Sequence, residues 1–152
     1  LEDLPDVEVL MLPLGGGSGI SGACIVAKGI DPSIEVLAVQ SEQAQAGYLS
    51  WKKGEIVESE MNTVAEGIAT RSGYELAQQI MADLLDDFLL VSEDEIHQAI
   101  GTLVDKAHTL AEGAGATMDP SQRWYSPEVA EAQAPSTLKM GMPSNPMERK
   151  AT

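Results

Sequence analysis

Residues 13–22 read PLGGGSGISG, five glycines and two serines in ten residues, directly after the strand-like run VEVLML. Glycine turns freely into positive φ and lets a ligand approach the backbone. If a helix opens in the same loop, its first N–H groups have no partners inside the helix and aim at whatever sits before them. Gly15, Gly16, Gly17, Ser18 and Gly19 offer consecutive N–H groups and one hydroxyl at the positive end of a helix dipole. That chemistry suits a compact, doubly charged phosphate monoester. Glycine is costly in conformational entropy, which weighs against a turn that binds nothing.

A second phosphate chemistry matches the same residues. Gly17-Ser-Gly19-Ile-Ser-Gly22 fits the dinucleotide pattern G-x-G-x-x-G, and Glu42 lies about twenty residues on, where a ribose-binding acid is wanted. A dinucleotide-binding α/β domain is therefore one reading. Against it, Glu42 falls two residues past the apparent strand end at Gln40, and a glycine-rich run yields such matches by chance.

The loop has to be positioned by a strand before it and a helix after it. Residues 7–14 read as a buried strand, since a Val/Leu run with few polar breaks suits a parallel sheet covered on both faces. A helix follows over about 18–28, with Gly29 as its stop, and residues 34–40 form a second strand. Strand, loop, helix and strand make a βαβ unit with parallel strands. Residues 41–71 are less regular, with a short helix in AQAGYLSWKKG and a covering loop in EIVESEMN. Ser72 and Glu75 form a capping box for a helix with Leu76, Ile80 and Leu84 on one face. DDFLLVS is a third strand. Ser92 and Glu95 form a second box, opening a helix whose stripe is Ile96, Ile100, Leu103, Val104, Ala107 and Leu110. That helix runs to the EGAGA turn at 112–116.

The chain has 152 residues, 43% hydrophobic, enough for a domain or one lobe of a larger enzyme. Its formal charge of −15 argues against nucleic acid or an anionic membrane as partner. It also means that an anion must be held by local dipoles against the overall field. The one cysteine, Cys24, rules out a disulfide within the chain and a cysteine zinc site. It reads as a small buried residue of a reduced, cytoplasmic protein. No apolar run approaches ~20 residues, and the acidic start LEDLPDVE lacks the pattern of a signal peptide. His97 and His108 read as surface residues, and the acids at 93–95 as first-turn charge against a helix dipole. Trp51, Trp124 and Tyr125 are too scattered for a stacking surface.

Residues 117–152 change character. They hold five of the eight prolines, four of the seven methionines, and four acidic against four basic residues, so the whole −15 lies in 1–116. The expected division is a partial cofactor-binding α/β domain over 1–116 and a mostly irregular tail over 117–152, with a short helix near 127–134.

Several segments now add up to a family. VLMLPLGGGSGISGACIVAKGIDPSIEVLAVQSE, then TVAEGIATRSGYEL (63–76), LLDDFLLVSEDEIHQAI (84–100) and AEGAGA (111–116) resemble, in order, the pyridoxal-phosphate-dependent threonine/serine dehydratases, or ammonia-lyases, of the tryptophan-synthase β-subunit fold type. The resemblance covers residues 7–116 and sets aside the dinucleotide reading. It implies an α/β fold, a mostly parallel sheet with helices on both faces, matching an incomplete large domain of that fold type. It implies pyridoxal 5'-phosphate as cofactor, with its phosphate on Gly15, Gly16, Gly17, Ser18 and Gly19, Gly67 lining the pocket by backbone contact, and Glu112 near the pyridine ring. The implied reaction is β-elimination of water from L-threonine or L-serine, ending in a 2-oxo acid and ammonia.

The departures matter equally. The family's cofactor lysine, in S-[FY]-K-x-R-G, and its GNH motif precede the glycine loop, and neither occurs in these 152 residues. None of Lys28, Lys52, Lys53, Lys106, Lys139 and Lys150 has that context. The family's last strand, LVLSGGN, is replaced by TMDPSQRWYSPEVAEAQ, and neither Ser126 nor Ser144 has the context of its serine. Such a break suggests a frameshift, a fusion or a different tail. Some relatives bind a divalent cation through an acid at the end of the second strand. Here that position is Gln40, and no metal site is expected. The expectation is a fragment or subunit of an ammonia-lyase, inactive alone, acting on an amino acid only if the missing lobe is supplied. The alternative is a non-enzymatic phosphate-binding or interaction module. A truncated sheet of this kind is expected to self-associate as a homo-oligomer, or to be covered by its methionine-rich tail.

Overall fold

Three parallel strands and their crossover helices carry the site. The computed structural model describes residues 1–118, and the expectations for the tail, including a helix at 127–134, lie outside the described residues. The elements are β1 (Val9–Pro13), α1 (Ser18–Ile30), β2 (Glu35–Ser41), α2 (Ala46–Lys53), a 3-10 turn (Glu66–Ile68), α3 (Glu75–Leu84), β3 (Asp87–Val91), α4 (Glu93–Ala107) and the single-turn α5 (Gly113–Ala116). The strands lie in the order β1-β2-β3, with Val9 opposite Glu35 and Leu37 opposite Asp87. Pro13 has no N–H to give a ladder and sits in β1, where it is tolerated because among the described residues that strand pairs on one side only.

Period-2 alternation splits the sheet into two packed faces. Val36, Ala38, Phe88, Leu10 and Leu12 meet Ile20, Cys24 and Ala27 of α1 and Ala77 and Met81 of α3. Val39 and Val91, with Met11 and Leu89, meet Ile96 of α4, Ile68 of the 3-10 turn and Ala65 just before it, and Ala114 of α5. Helices therefore cover both faces, as the sequence implies. Tyr48 and Trp51 join the first face by ring contacts with Phe88, at centroid distances of 5.4 and 5.9 Å. Trp51 also donates to the Met81 carbonyl at 3.3 Å. Cys24 is fully buried, and that burial, with Asp86 nearby, pushes its thiol upward and keeps it inert.

Three local expectations are corrected. Gly29 does not stop α1. The helix runs to Ile30 and ends at Asp31, which is extended at φ −145° and ψ 109°. Asp31 precedes Pro32, and a residue before proline is pushed out of the helical region. Ser72 caps nothing. It bridges Glu58 in an antiparallel pair, so α3 opens later, at Glu75 behind Tyr74. The long helix does not reach EGAGA. α4 ends at Ala107, with His108 left-handed at φ 52°, and EGAGA forms α5. Its stripe is accordingly covered only near its start: Ile96 and Ala99 are buried, while Leu110, past the helix end, is 86% exposed. The Ser92 box forms as read, with Ser92 Oγ accepting from the Glu95 N–H at 3.3 Å and Glu95 Oε2 accepting from the Ser92 N–H at 2.7 Å.

Helix α1 is apolar all round, with Lys28 its one charged residue. Its outer residues Ile25, Val26 and Ile30 are 53%, 57% and 64% exposed. A helix apolar on every side is ordinarily covered on every side.

Candidate phosphate-binding site

The glycine loop leaves β1 at the carboxyl end of the sheet, the end at which open α/β sheets take ligands. Leu14 is the last residue tied to the sheet, its N–H donating to the Val39 carbonyl at 2.8 Å. Gly17 is left-handed at φ 91°, at the N-cap of α1, and no side chain caps that helix. The first helical hydrogen bond in the loop runs from the Ser21 N–H to the Gly17 carbonyl at 3.0 Å. The earlier N–H groups of the first turn face outward, as the geometry of a helix start dictates. Gly16, Ser18 and Gly19 are exposed. A Cβ added at Gly19 would meet nothing within 4 Å, and one at Gly16 would only touch the Tyr74 ring at 4.0 Å. Two neighbouring glycines are packed instead. A Cβ at Gly15 would lie 2.3 Å from the Gly67 carbonyl oxygen, and one at Gly17 would lie 2.4 Å from the Ala77 Cβ.

Gly67 stands on an arch, residues 64–70, anchored by apolar plugs between its feet: Ala65 and Ile68 are buried in the second core face. The arch locks onto the EGAGA turn. A Cβ at Gly67 would lie 2.9 Å from Ala114 Cβ and 3.4 Å from Glu112 Oε1, and one at Gly113 would lie 2.9 Å from Ala65 Cα. The structure thus brings Gly15, Gly67 and Glu112 into one contiguous rim, with Gly67 and Glu112 exposed beside the uncapped start of α1. Of the residues singled out in the sequence, Gly16, Ser18, Gly19, Gly67 and Glu112 are exposed, while Gly15 and Gly17 are packed against Gly67 and Ala77.

Residues that hold the rim were missed in their sequence roles. Gln40, expected only as a strand-end residue, is fully buried. Its Nε2 donates to the Leu14 carbonyl at 3.3 Å and reaches Thr70 Oγ1 at 3.5 Å, and its Oε1 accepts from the Tyr48 N–H at 3.1 Å. β2 runs one residue further than expected, and Ser41, on the opposite face, donates to Glu93 Oε1 at 2.5 Å. Glu93 Oε2 accepts from the Val64 N–H at 2.8 Å. Partial burial pushes the Glu93 carboxyl upward. The hydrogen bonds from Ser41, Val64 and Thr63, with His97 nearby, outweigh that and hold it below its ordinary 4.5. First-turn charge was therefore half of its role. A polar residue at the end of an apolar strand run was the available signal, because buried polar groups must be satisfied.

The dinucleotide geometry is not supported. The third glycine of that pattern serves close packing of helix on strand, yet Gly22 is exposed and a Cβ there would meet nothing within 4 Å. Gln40 is occupied with internal bonds, and Glu42 lies beyond the strand end, its N–H donating to the Val91 carbonyl at 2.8 Å. Of the lysines, Lys28 sits ten residues along α1 from Ser18, about 15 Å away by helix rise. It pairs with Asp86 at 2.6 Å. Among the described residues no group of three or more His, Cys, Asp or Glu could hold a metal ion, and no helix is long and apolar enough to cross a membrane.

A family model described as "Pyridoxal-phosphate dependent enzyme" matches residues 1–118. Among curated proteins, the chain is 40% identical over 118 residues to an L-threonine ammonia-lyase from Thermotoga maritima, covering 76% of this chain and 29% of that one. It is 38% identical over 117 residues to a catabolic L-threonine dehydratase from Escherichia coli, covering 76% and 36%. Among solved structures, maize serine racemase superposes with a TM-score of 0.73 at 30% identity, covering 77% of this chain and 36% of that one. The processed form of a threonine deaminase isoform from Solanum lycopersicum superposes with a TM-score of 0.73 at 30% identity, covering 76% and 34%. The chain spans about a third of the length of the curated relatives it matches.

Proposed function

The chain belongs to the pyridoxal-phosphate-dependent enzyme family, and on that premise we propose that residues 1–118 are the phosphate-holding part of a threonine or serine ammonia-lyase. The carrying observation is the uncapped start of α1 behind a turn in which Gly16, Ser18 and Gly19 are open, with Gly67 and Glu112 exposed nearby. A side chain at Gly16 or Gly19 would stand in the space a phosphate needs, so the residues present fit the group. The N–H groups of the turn and the Ser18 hydroxyl bind the phosphate, and the dipole of α1 opposes the −15 charge of the chain. Gly67 would line the cofactor pocket by backbone contact, and Glu112 would sit near the pyridine ring. Bound pyridoxal phosphate supplies an electron sink for loss of water from the amino acid.

What these residues contribute is binding and orientation. None of the six lysines has the family's context, so turnover needs a lysine from sequence outside these 152 residues. These 152 residues supply the cofactor-holding side of such a site, and ammonia release depends on that lysine. The discriminating experiment compares pyridoxal phosphate with pyridoxal, which lacks the phosphate. The phosphate ester binds at one saturable site and inorganic phosphate competes with it. Equal binding of pyridoxal overturns this reading.

The bare face of α1 bears on partners. Ile25, Val26 and Ile30 expose apolar surface on a helix with no outward acid to keep copies apart. The full chain therefore self-associates, and sedimentation velocity shows its mean mass rising with concentration. Val26→Glu, a substitution to a fully solvated charge, returns it toward the 16.1 kDa monomer. A wild-type monomer at every concentration contradicts this.

A further inference from the structure

The end of β2 sends two polar side chains to opposite faces of the sheet, and each connects to one foot of the Gly67 arch, Gln40 directly and Ser41 by way of Glu93. On one face Ser41 and Glu93 hold the first foot, through the Val64 N–H at 2.8 Å from Glu93 Oε2. On the other, Gln40 reaches Thr70 at the second foot and grips the Leu14 carbonyl at the root of the glycine loop. Gly47 makes room for that grip: a Cβ there would lie 2.4 Å from Leu14 Cδ2 and 3.2 Å from Gln40 Oε1. We propose that Gln40 and Glu93 are positioning residues, which fasten the arch and the glycine loop to one strand end so that both sides of the rim move as a unit. Glu93 acts through the Val64 N–H it holds, and Gln40 through the Leu14 carbonyl and the Thr70 hydroxyl. The inference deepens the reading of that rim as a pyridoxal phosphate site and rests on it for its functional meaning.

The chemistry of each side chain sets its test. Glu93→Ala removes the acceptor for the Val64 N–H. Glu93→Gln keeps one oxygen for that N–H and turns an N–H toward Ser41 Oγ, which can accept it. Gln40→Glu replaces the donor facing the Leu14 carbonyl by an oxygen. Amide-exchange protection is read by mass spectrometry on the full chain, alongside pyridoxal phosphate affinity. In Glu93→Ala, protection over 64–68 falls about tenfold, the equivalent of one charged hydrogen bond, and affinity falls with it. Glu93→Gln restores both. In Gln40→Glu, protection falls over 14–20 and 64–70 together. A loss spread evenly along the chain in Glu93→Ala, or unchanged protection over 64–68, overturns the inference. Wild-type chain that fails to bind pyridoxal phosphate overturns the functional reading instead, and the exchange pattern then decides the fastening by itself.

Discussion

Gly16→Asp abolishes pyridoxal phosphate binding and leaves the fold as stable as before. Gly16 is exposed, and the nearest atom to an added Cβ is the Tyr74 ring at 4.0 Å, so the new side chain strains nothing. What changes is charge. A carboxylate in the turn meets a phosphate dianion at close range, and one unit pair at 4 Å near a protein surface amounts to about 4 kcal/mol of repulsion. Affinity is therefore expected to drop by at least ~100-fold, since about 2.7 kcal/mol suffices for that factor. The urea midpoint moves little, as for most surface substitutions. The pairing of lost binding with kept stability separates a ligand loop from a structural turn. A binding curve unchanged by the substitution would falsify the assignment of this loop.

Gly17→Ala does the reverse: it strikes the fold first. Gly17 is left-handed at φ 91°, a region that costs a residue with a Cβ roughly 1–2 kcal/mol. Its new methyl would also lie 2.4 Å from Ala77 Cβ in the packed seam between α1 and α3. Overpacking of that kind costs about 1–3 kcal/mol. Together they predict a loss of about 2–5 kcal/mol, large beside the usual total for a domain. Denaturant unfolding followed by Trp51 fluorescence reads it, because Trp51 packs on Phe88 and donates to the Met81 carbonyl in the same core. A midpoint within experimental error of wild type would mean that the α1 start is free to shift away from α3.

What the sequence made legible was local. The glycine loop, the three strands and the Ser92 box each rest on signals within a few residues, and each forms. The Gly29 stop failed because a nearer rule won: Pro32 fixes the end of α1 through Asp31, while Gly29 lies on the solvent side with nothing within 4 Å of a Cβ. The Ser72 box failed to a contact fourteen residues away, the Glu58 bridge, which no window around Ser72 contains. Distance in sequence also hid the fasteners of the site. Gln40 meets Leu14 and Thr70, and Glu93 meets Ser41 and Val64, so their roles exist only once the sheet has brought these residues together. The Tyr48–Trp51–Phe88 cluster was hidden for the same reason. The glycine loop stood out because glycines announce close approach, and Gly67 and Glu112 entered only through the family resemblance, whereas the polar side chains that hold the loop and the arch announce nothing on their own.

The most direct test of the account is an equilibrium titration of the purified chain with pyridoxal phosphate, followed by absorbance and tryptophan fluorescence, with Gly16→Asp run beside it. The account predicts one saturable site in the wild type, lost in the variant. No saturable binding by the wild type, or the same binding by both, would contradict it.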